Sequence, residues 1–284
     1  MKDLLPDVRN DPPLHFAQTG KDADVLLIHG TPSSGFEWRK VIPHLSGYRV
    51  TLPDHLGFGK SPQPLNADYS PEAHAARLIR FVKEQNLRDV HLVLHDYGGP
   101  IGLGMALQLP EHIRSICLIN TWGFPLRVLP DVRRGAAVMN SFLGRWLYRY
   151  YHFSVRFFLK NSFYSKANLP EDVYQTYLQV HDTPEKRMIL YALAKAMTLS
   201  DSFSQAIWEE RSTLKRWPLQ IIWGMADPFL PAKELLPIWK EGLPEAAVVE
   251  LQKSGHFPQE EQPEELARAL LHFWEQTPTR SSSK

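Results

Sequence analysis

The chain has 284 residues, 43% of them hydrophobic and 22% charged, a composition ordinary for a globular protein with a large core. Its 32 basic and 31 acidic residues leave a formal charge of +1, so overall charge gives no reason to expect nucleic acid or an anionic membrane as partner. A single cysteine, Cys117, excludes an intrachain disulfide, and no apolar run reaches the ~18 residues that a spanning helix needs.

The opening MKDLLPDVRNDPP carries no apolar stretch of signal-peptide type, so a cytoplasmic protein is expected. Residues 25–29 (VLLIH) read as a buried strand running into a Gly30-Thr31-Pro32 turn. A second strand, 48–53, leads into the Gly-rich turn 54–61 (DHLGFGKS), to which a structural role is assigned. Residues 71–85 follow a helical spacing, with Ser70 as N-cap and Pro71 at the first helical position. The run 90–95 (VHLVLH) is a third strand, Asp96 follows it, and 98–109 reads as a helix of small residues. Strand 113–120 holds Cys117 among apolar neighbours, where it is expected to be a small buried hydrophobe rather than a reactive thiol.

The alternation then stops. Between Phe124 and Arg216 no strand is legible, and the stretch is rich in aromatics and arginine. It reads as a helical insertion, with the arginines from Arg145 to Arg156 snorkelling over packed rings, or else forming a lid or dimer surface. Strands at 219–223 and 246–251 and a helix at 263–275 resume the pattern, and the tail from about 277 is expected to be disordered. The rhythm implies an α/β fold: a mostly parallel central sheet with helices on both faces and an α-helical cap. The expected division is core 1–123, cap 124–216 and core 217–284.

Four local patterns carry chemistry. The segment 94–99 (LHDYGG) places one residue on a tight turn between strand and helix, the form of a nucleophile elbow, with Asp96 where G-x-S-x-G has serine and Leu94 where its first glycine stands. The turn after 25–29 would offer the Thr31 amide, and the helix start the Tyr97 amide, as an oxyanion hole. Strand 219–223 ends in Gly224-Met225-Ala226-Asp227, placing an acid, whereas the end of the preceding core strand, Asn120-Thr121-Trp122, offers none. Last comes Gly255-His256-Phe257. The order Asp96, Asp227, His256 is nucleophile, acid, base.

With these segments the chain resembles the haloalkane dehalogenases and epoxide hydrolases of the α/β-hydrolase superfamily, the dehalogenases most closely. The resemblance implies an Asp96 nucleophile that forms an alkyl-enzyme ester, His256 as the base that activates water, and Asp227 as the acid behind it. It implies hydrolysis of a small hydrophobic haloalkane to alcohol and halide, with no cofactor. The sequence shows no metal-ligand spacing, and oligomeric state is not legible. Halide donors in this family include an indole beside the nucleophile, a place held here by Tyr97; Trp122 and Trp146 are the other candidates. The alternative is an epoxide hydrolase giving a diol. It would draw ring-opening donors from cap tyrosines, of which Tyr148, Tyr150, Tyr151, Tyr164, Tyr174, Tyr177 and Tyr191 are available. A fluoroacetate-type enzyme would carry Arg where Tyr97 stands. Esterase-like chemistry or a non-catalytic scaffold completes the set of alternatives.

Overall fold

The computed structural model describes residues 4–199 and 201–278. A seven-stranded sheet runs through it in the order β1-β3-β2-β4-β5-β6-β7. The strands are β1 (Phe16–Thr19), β2 (Ala23–Ile28), β3 (Tyr48–Pro53), β4 (Val90–Asp96), β5 (Ile113–Thr121), β6 (Leu219–Gly224) and β7 (Ala247–Leu251). Only β1 is antiparallel, hydrogen-bonded along β3; the other pairings are parallel. The first strand escapes sequence reading because its FAQT segment is half-exposed at one residue and exposed at three, so it has no apolar run to announce it.

The central strands alternate their side chains between two separate cores. Leu26, Ile28, Leu92, Leu94, Leu118 and Trp223 pack on one face, with α1 (Pro71–Glu84) and α2 (Gly98–Gln108). Val25, Leu27, Val93, Ile119 and Ile222 pack on the other, where Leu266, Leu270 and Trp274 come from the C-terminal helix. Both faces are therefore covered, which is why these strands read as continuous hydrophobic runs. Cys117 belongs to the second core, and burial pushes its thiol up and out of reactive range.

Between β5 and β6 the chain is helical. It forms α3 (Pro130–Met139), α4 (Phe142–Trp146), π-helical turns at Leu147–Tyr151 and Ser154–Leu159, then α5 (Glu171–Val180), α6 (Pro184–Leu199), α7 (Ser202–Glu209) and α8 (Arg211–Leu214). After β6 come α9 (Ala232–Gly242), α10 (Pro258–Glu261) and α11 (Pro263–Gln276). The interior Pro237 hides α9 from a reading based on breakers. No helix among the described residues is long and apolar enough to cross a membrane. The tail expected to be disordered includes Thr277, which is instead buried, with its hydroxyl on the Phe273 carbonyl; 279–284 lie outside the described residues.

Five histidines are buried and held neutral. Burial pushes His91 and His181 down to about 3 and His152 to about 4, and takes His55 and His74 well below 6.5. Each group binds its proton more readily in the unfolded chain. The stability it contributes is therefore complete above 6.5 and is lost as pH falls from there toward the folded value, at about 1.4 kcal/mol per pH unit. At pH 4.5, His91, His181 and His152 should each have cost the fold roughly 2–3 kcal/mol. Thermal melts followed by circular dichroism should show the midpoint dropping steeply between pH 6.5 and 4.5; a flat profile would refute this account.

Candidate active site

The sheet delivers its functional side chains at the C-terminal ends of neighbouring strands, where open α/β sheets place ligands. Strand β4 ends on Asp96, whose φ of +49° is left-handed and rare for a residue with a side chain. Tyr97 then turns to right-handed geometry and α2 begins. The turn needs empty space on two sides. A Cβ on Gly30 would stand 2.4 Å from the Asp96 side chain, so only glycine lets the β2 turn pass. A Cβ on Gly102 would stand 2.1 Å from Leu94 Cδ2. A glycine one turn into α2 thus makes the room for Leu94, where the elbow pattern has a small residue.

The Asp96 carboxylate divides its oxygens. Oδ1 accepts the Thr31 backbone N–H at 2.8 Å, and Oδ2 faces His256 Nε2 at 3.2 Å. On its far side His256 Nδ1 lies 2.7 Å from Asp227 Oδ2. Asp227 is itself held by four donors or partners: the amides of Phe229 and Leu230 on Oδ1, both at 2.9 Å, and Asn120 Nδ2 at 2.8 Å beside His256 on Oδ2. Asp96, Asp227 and His256 are all less than a tenth exposed. Burial alone would lower His256, but the charges and hydrogen bonds of Asp227 and Asp96 push it up to about 10. Burial alone would raise Asp96, yet the hydrogen bond and charge of His256, His95 and the Thr31 amide bring it below the usual carboxylate value. The two flanking carboxyl groups therefore favour a protonated His256 in the resting site.

Sequence reading missed the residues behind this line. Asn120 also accepts the Gly224 amide at 2.8 Å, tying the end of β5 to that of β6. His95 is fully buried; its Nε2–H donates to the His256 carbonyl at 2.8 Å, and its Nδ1 lies 3.0 Å from Glu37. The other Glu37 oxygen receives the Ser33 hydroxyl, so one buried carboxylate and one imidazole join the Thr31 turn to the His256 loop. Glu261 accepts from the amides of Gly255, Tyr164 and Ser165 and from Asn168 Nδ2, and the His256 amide donates to the Ser162 carbonyl at 2.8 Å. The helical insertion is thereby fastened to the loop that carries His256. Apart from Ser33–Glu37 and Gly255–Glu261, these bonds join residues far apart in sequence, and no local spacing signals them.

A cavity of about 680 Å³ lies above Asp96, walled by Thr31, His256 and Trp122 from the sheet side and mainly by apolar residues of the insertion, among them Leu129, Met139 and Phe158. Trp122 contributes to this wall. Tyr97 does not. Its ring is buried in the core edge-on to Trp122 at 5.8 Å, and its hydroxyl is buried with no partner among the described residues. Its place at the head of α2 aims the side chain away from the cavity, leaving only its amide as a candidate oxyanion donor. Trp146 is likewise absent from the wall. It is 44% exposed and packs on Tyr150, because α4 turns that face outward. Of the seven tyrosines of the insertion, only Tyr148 lines the cavity; Tyr177 donates to Glu260 and Tyr191 to the Met139 carbonyl.

The sequence model of the family described as alpha/beta hydrolase fold matches residues 25–263. The chain is 28% identical to a cis-3-alkyl-4-alkyloxetan-2-one decarboxylase of Shewanella oneidensis, over 95% of this chain and 88% of that one. It is 27% identical to haloalkane dehalogenase 2 of Mycobacterium tuberculosis, over 91% and 90%. The crystal structure of haloalkane dehalogenase DbeA from Bradyrhizobium elkani superposes with a TM-score of 0.81 at 21% identity, covering 92% of this chain and 95% of that one. That likeness speaks for the fold.

Proposed function

Since the chain belongs to the alpha/beta hydrolase fold family, we propose that it is a hydrolase of the haloalkane dehalogenase-like kind, in which Asp96 attacks a saturated carbon. The observation that carries the reading is the Asp96 carboxylate at the floor of an apolar cavity, with one oxygen on the Thr31 amide and the other toward His256.

A carboxylate is a poor acyl nucleophile, but it displaces a leaving group from sp³ carbon when bound close and in line. One Asp96 oxygen bonds to the substrate carbon, the carbon–halogen bond breaks, and halide leaves with the electron pair. The Trp122 side chain, in the cavity wall, is the candidate N–H donor to that anion. The product is an ester of Asp96. Its formation removes the negative charge beside His256, which lowers the imidazole from its resting value so that it can lose its proton and act as a base. His256 then takes a proton from water, whose oxygen attacks the Asp96 carboxyl carbon. Oxyanion charge develops on the ester carbonyl oxygen, where the Thr31 amide, and the Tyr97 amide as second donor, would stabilise it. Collapse breaks the bond between the Asp96 carbonyl carbon and the alkoxy oxygen. The alcohol leaves with the proton from His256; the Asp96 carboxyl, now carrying one oxygen and the second hydrogen of water, passes that proton to His256, which restores the carboxylate and the protonated imidazole.

Two neighbouring readings share the first step. Tyr148 in the wall supplies one donor for an opening epoxide oxygen. The Shewanella relative's name points to a strained four-membered lactone, where the leaving carboxylate stays attached to the substrate. A side-by-side panel of long-chain bromoalkanes, aryl epoxides and cis-dialkyl oxetan-2-ones separates the three. Halide release is followed with a pH indicator, and diol or olefin by chromatography. Halide release with turnover is the expected result; activity confined to epoxides or to oxetanones overturns the dehalogenase reading.

A further inference from the structure

The charge balance of the whole chain hides a strong segregation. Residues 124–170 contain eight Lys and Arg and one carboxylate, Asp131, a net +7 within a chain of net +1. The same stretch holds most of the exposed large hydrophobic side chains. Of the eleven large hydrophobic side chains exposed among the described residues, nine lie between Val128 and Tyr164, including Phe142 at 83% and Leu143 at 55%. Such a patch on a single chain calls for a partner.

The patch is the outside of the cavity wall. Along α3 and at the Leu129 position just before it, Leu129, Val132 and Met139 face the cavity while Arg133 and Val138 are exposed. Along α4 and the π-helical turn after it, Tyr148 faces the cavity, whereas Phe142, Trp146 and Tyr150 recur every fourth residue on the exposed side. Arg149 and Arg156 lie over the rings of Tyr150 and Tyr151. Ion pairs engage Arg134 with Asp131, Arg149 with Glu185 and Arg127 with Asp201. Arg133, Arg145, Arg156, Lys160 and Lys166 are exposed and have no carboxylate partner among the described residues.

We propose that this face docks onto an anionic phospholipid surface, with Phe142, Leu143, Trp146 and Tyr150 entering the headgroup boundary and the unpaired cations meeting lipid phosphates. Aromatic and aliphatic side chains ringed by Arg and Lys are the composition of an interfacial element. A second copy of the chain fits less well, because a two-fold contact would set the same unpaired cations against themselves. Nucleic acid would satisfy the cations but leave Leu143 and Val138 without an apolar medium. Docking here sets the thin wall of the cavity against lipid, and apolar molecules dissolved there need cross only α3 and α4 to reach Asp96. The binding itself does not depend on the reaction proposed above.

The test is co-sedimentation of the full chain with vesicles of phosphatidylcholine alone or of equal parts phosphatidylcholine and phosphatidylglycerol. Pelleting with the mixed vesicles at low salt is expected, with little on phosphatidylcholine and loss at about 0.5 M salt. Arg133→Glu/Arg145→Glu and Phe142→Ser/Tyr150→Ser should each weaken partition about tenfold or more, with melting midpoints unchanged. A wild-type chain that stays in the supernatant, or pelleting that neither variant reduces, overturns the proposal. So does a dimer on size exclusion that Phe142→Ser/Tyr150→Ser dissociates, since the patch would then belong to a second copy. Acyl-brominated phosphatidylglycerol vesicles give a measurement on the unaltered chain: Trp146 lies on this face, so tryptophan emission should be quenched, and unchanged emission also overturns the proposal.

Discussion

Asp96→Ala should fold normally, with a melting midpoint within about 3 °C of the parent, and turn substrate over at least about 10⁴-fold more slowly. The two halves of that expectation separate a reactive carboxylate from a structural one. A helix-capping Asp would bond amides of the first turn, but Asp96 gives its oxygens to Thr31 and His256, and the N-cap position of α2 falls to Tyr97 with no side-chain bond. The carboxylate is buried, sits on a left-handed backbone and lies against an imidazole whose proton it helps to hold. Such sites store cost rather than stability. Its removal orphans the Thr31 amide and leaves His256 with one anionic partner instead of two, modest losses offset by relief of a buried charge. Rates come from halide release or product chromatography, and melts from circular dichroism. A variant that loses several degrees while keeping more than a tenth of its turnover would mean that Asp96 is a brace and that another group attacks the substrate.

The parts of the protein legible in its sequence were those written locally. Six strands announced themselves as apolar runs, the central ones because both faces of the sheet are covered there, and the elbow showed in Asp96, Gly98 and Gly99. The order of Asp96, Asp227 and His256 placed them on strand ends, and the parallel topology brings those ends together. What stayed hidden depends on direction or distance. Spacing cannot tell that Tyr97 points into the core, or that α4 turns Trp146 outward while the next turn brings Tyr148 inward. The brace from Glu37 through His95 to the His256 carbonyl spans three separate stretches of chain. Net charge hides a pattern for a related reason: a sum over the chain has no geometry, and the +7 of residues 124–170 vanishes in it.

His256→Gln should divide the reaction in half. Attack by Asp96 on the substrate carbon needs an ionised carboxylate, which the Thr31 amide still favours. Hydrolysis of the ester needs a base that accepts a proton from water, and a glutamine amide cannot. Soaked with a long-chain bromoalkane, the variant should release about one equivalent of bromide per chain and stop, holding an alkyl group on Asp96. Intact-mass and peptide mass spectrometry would locate it, with steady turnover lower by about 10⁴-fold or more. The parent enzyme should show the same stall in acid. Asp227 and Asp96 both raise His256; in the ester the Asp96 charge is gone, so the imidazole proton leaves more readily. Lowering the pH refills that proton and slows ester hydrolysis, whereas Asp96, held below the usual carboxylate value, stays ionised and goes on reacting. The alkylated fraction of the parent should therefore rise as pH falls through the imidazole range and shrink on return to pH 8. An adduct found on any side chain but Asp96, or none on His256→Gln with bromoalkane, epoxide or oxetanone, would remove the ester from the mechanism and leave His256 as the base of some other reaction.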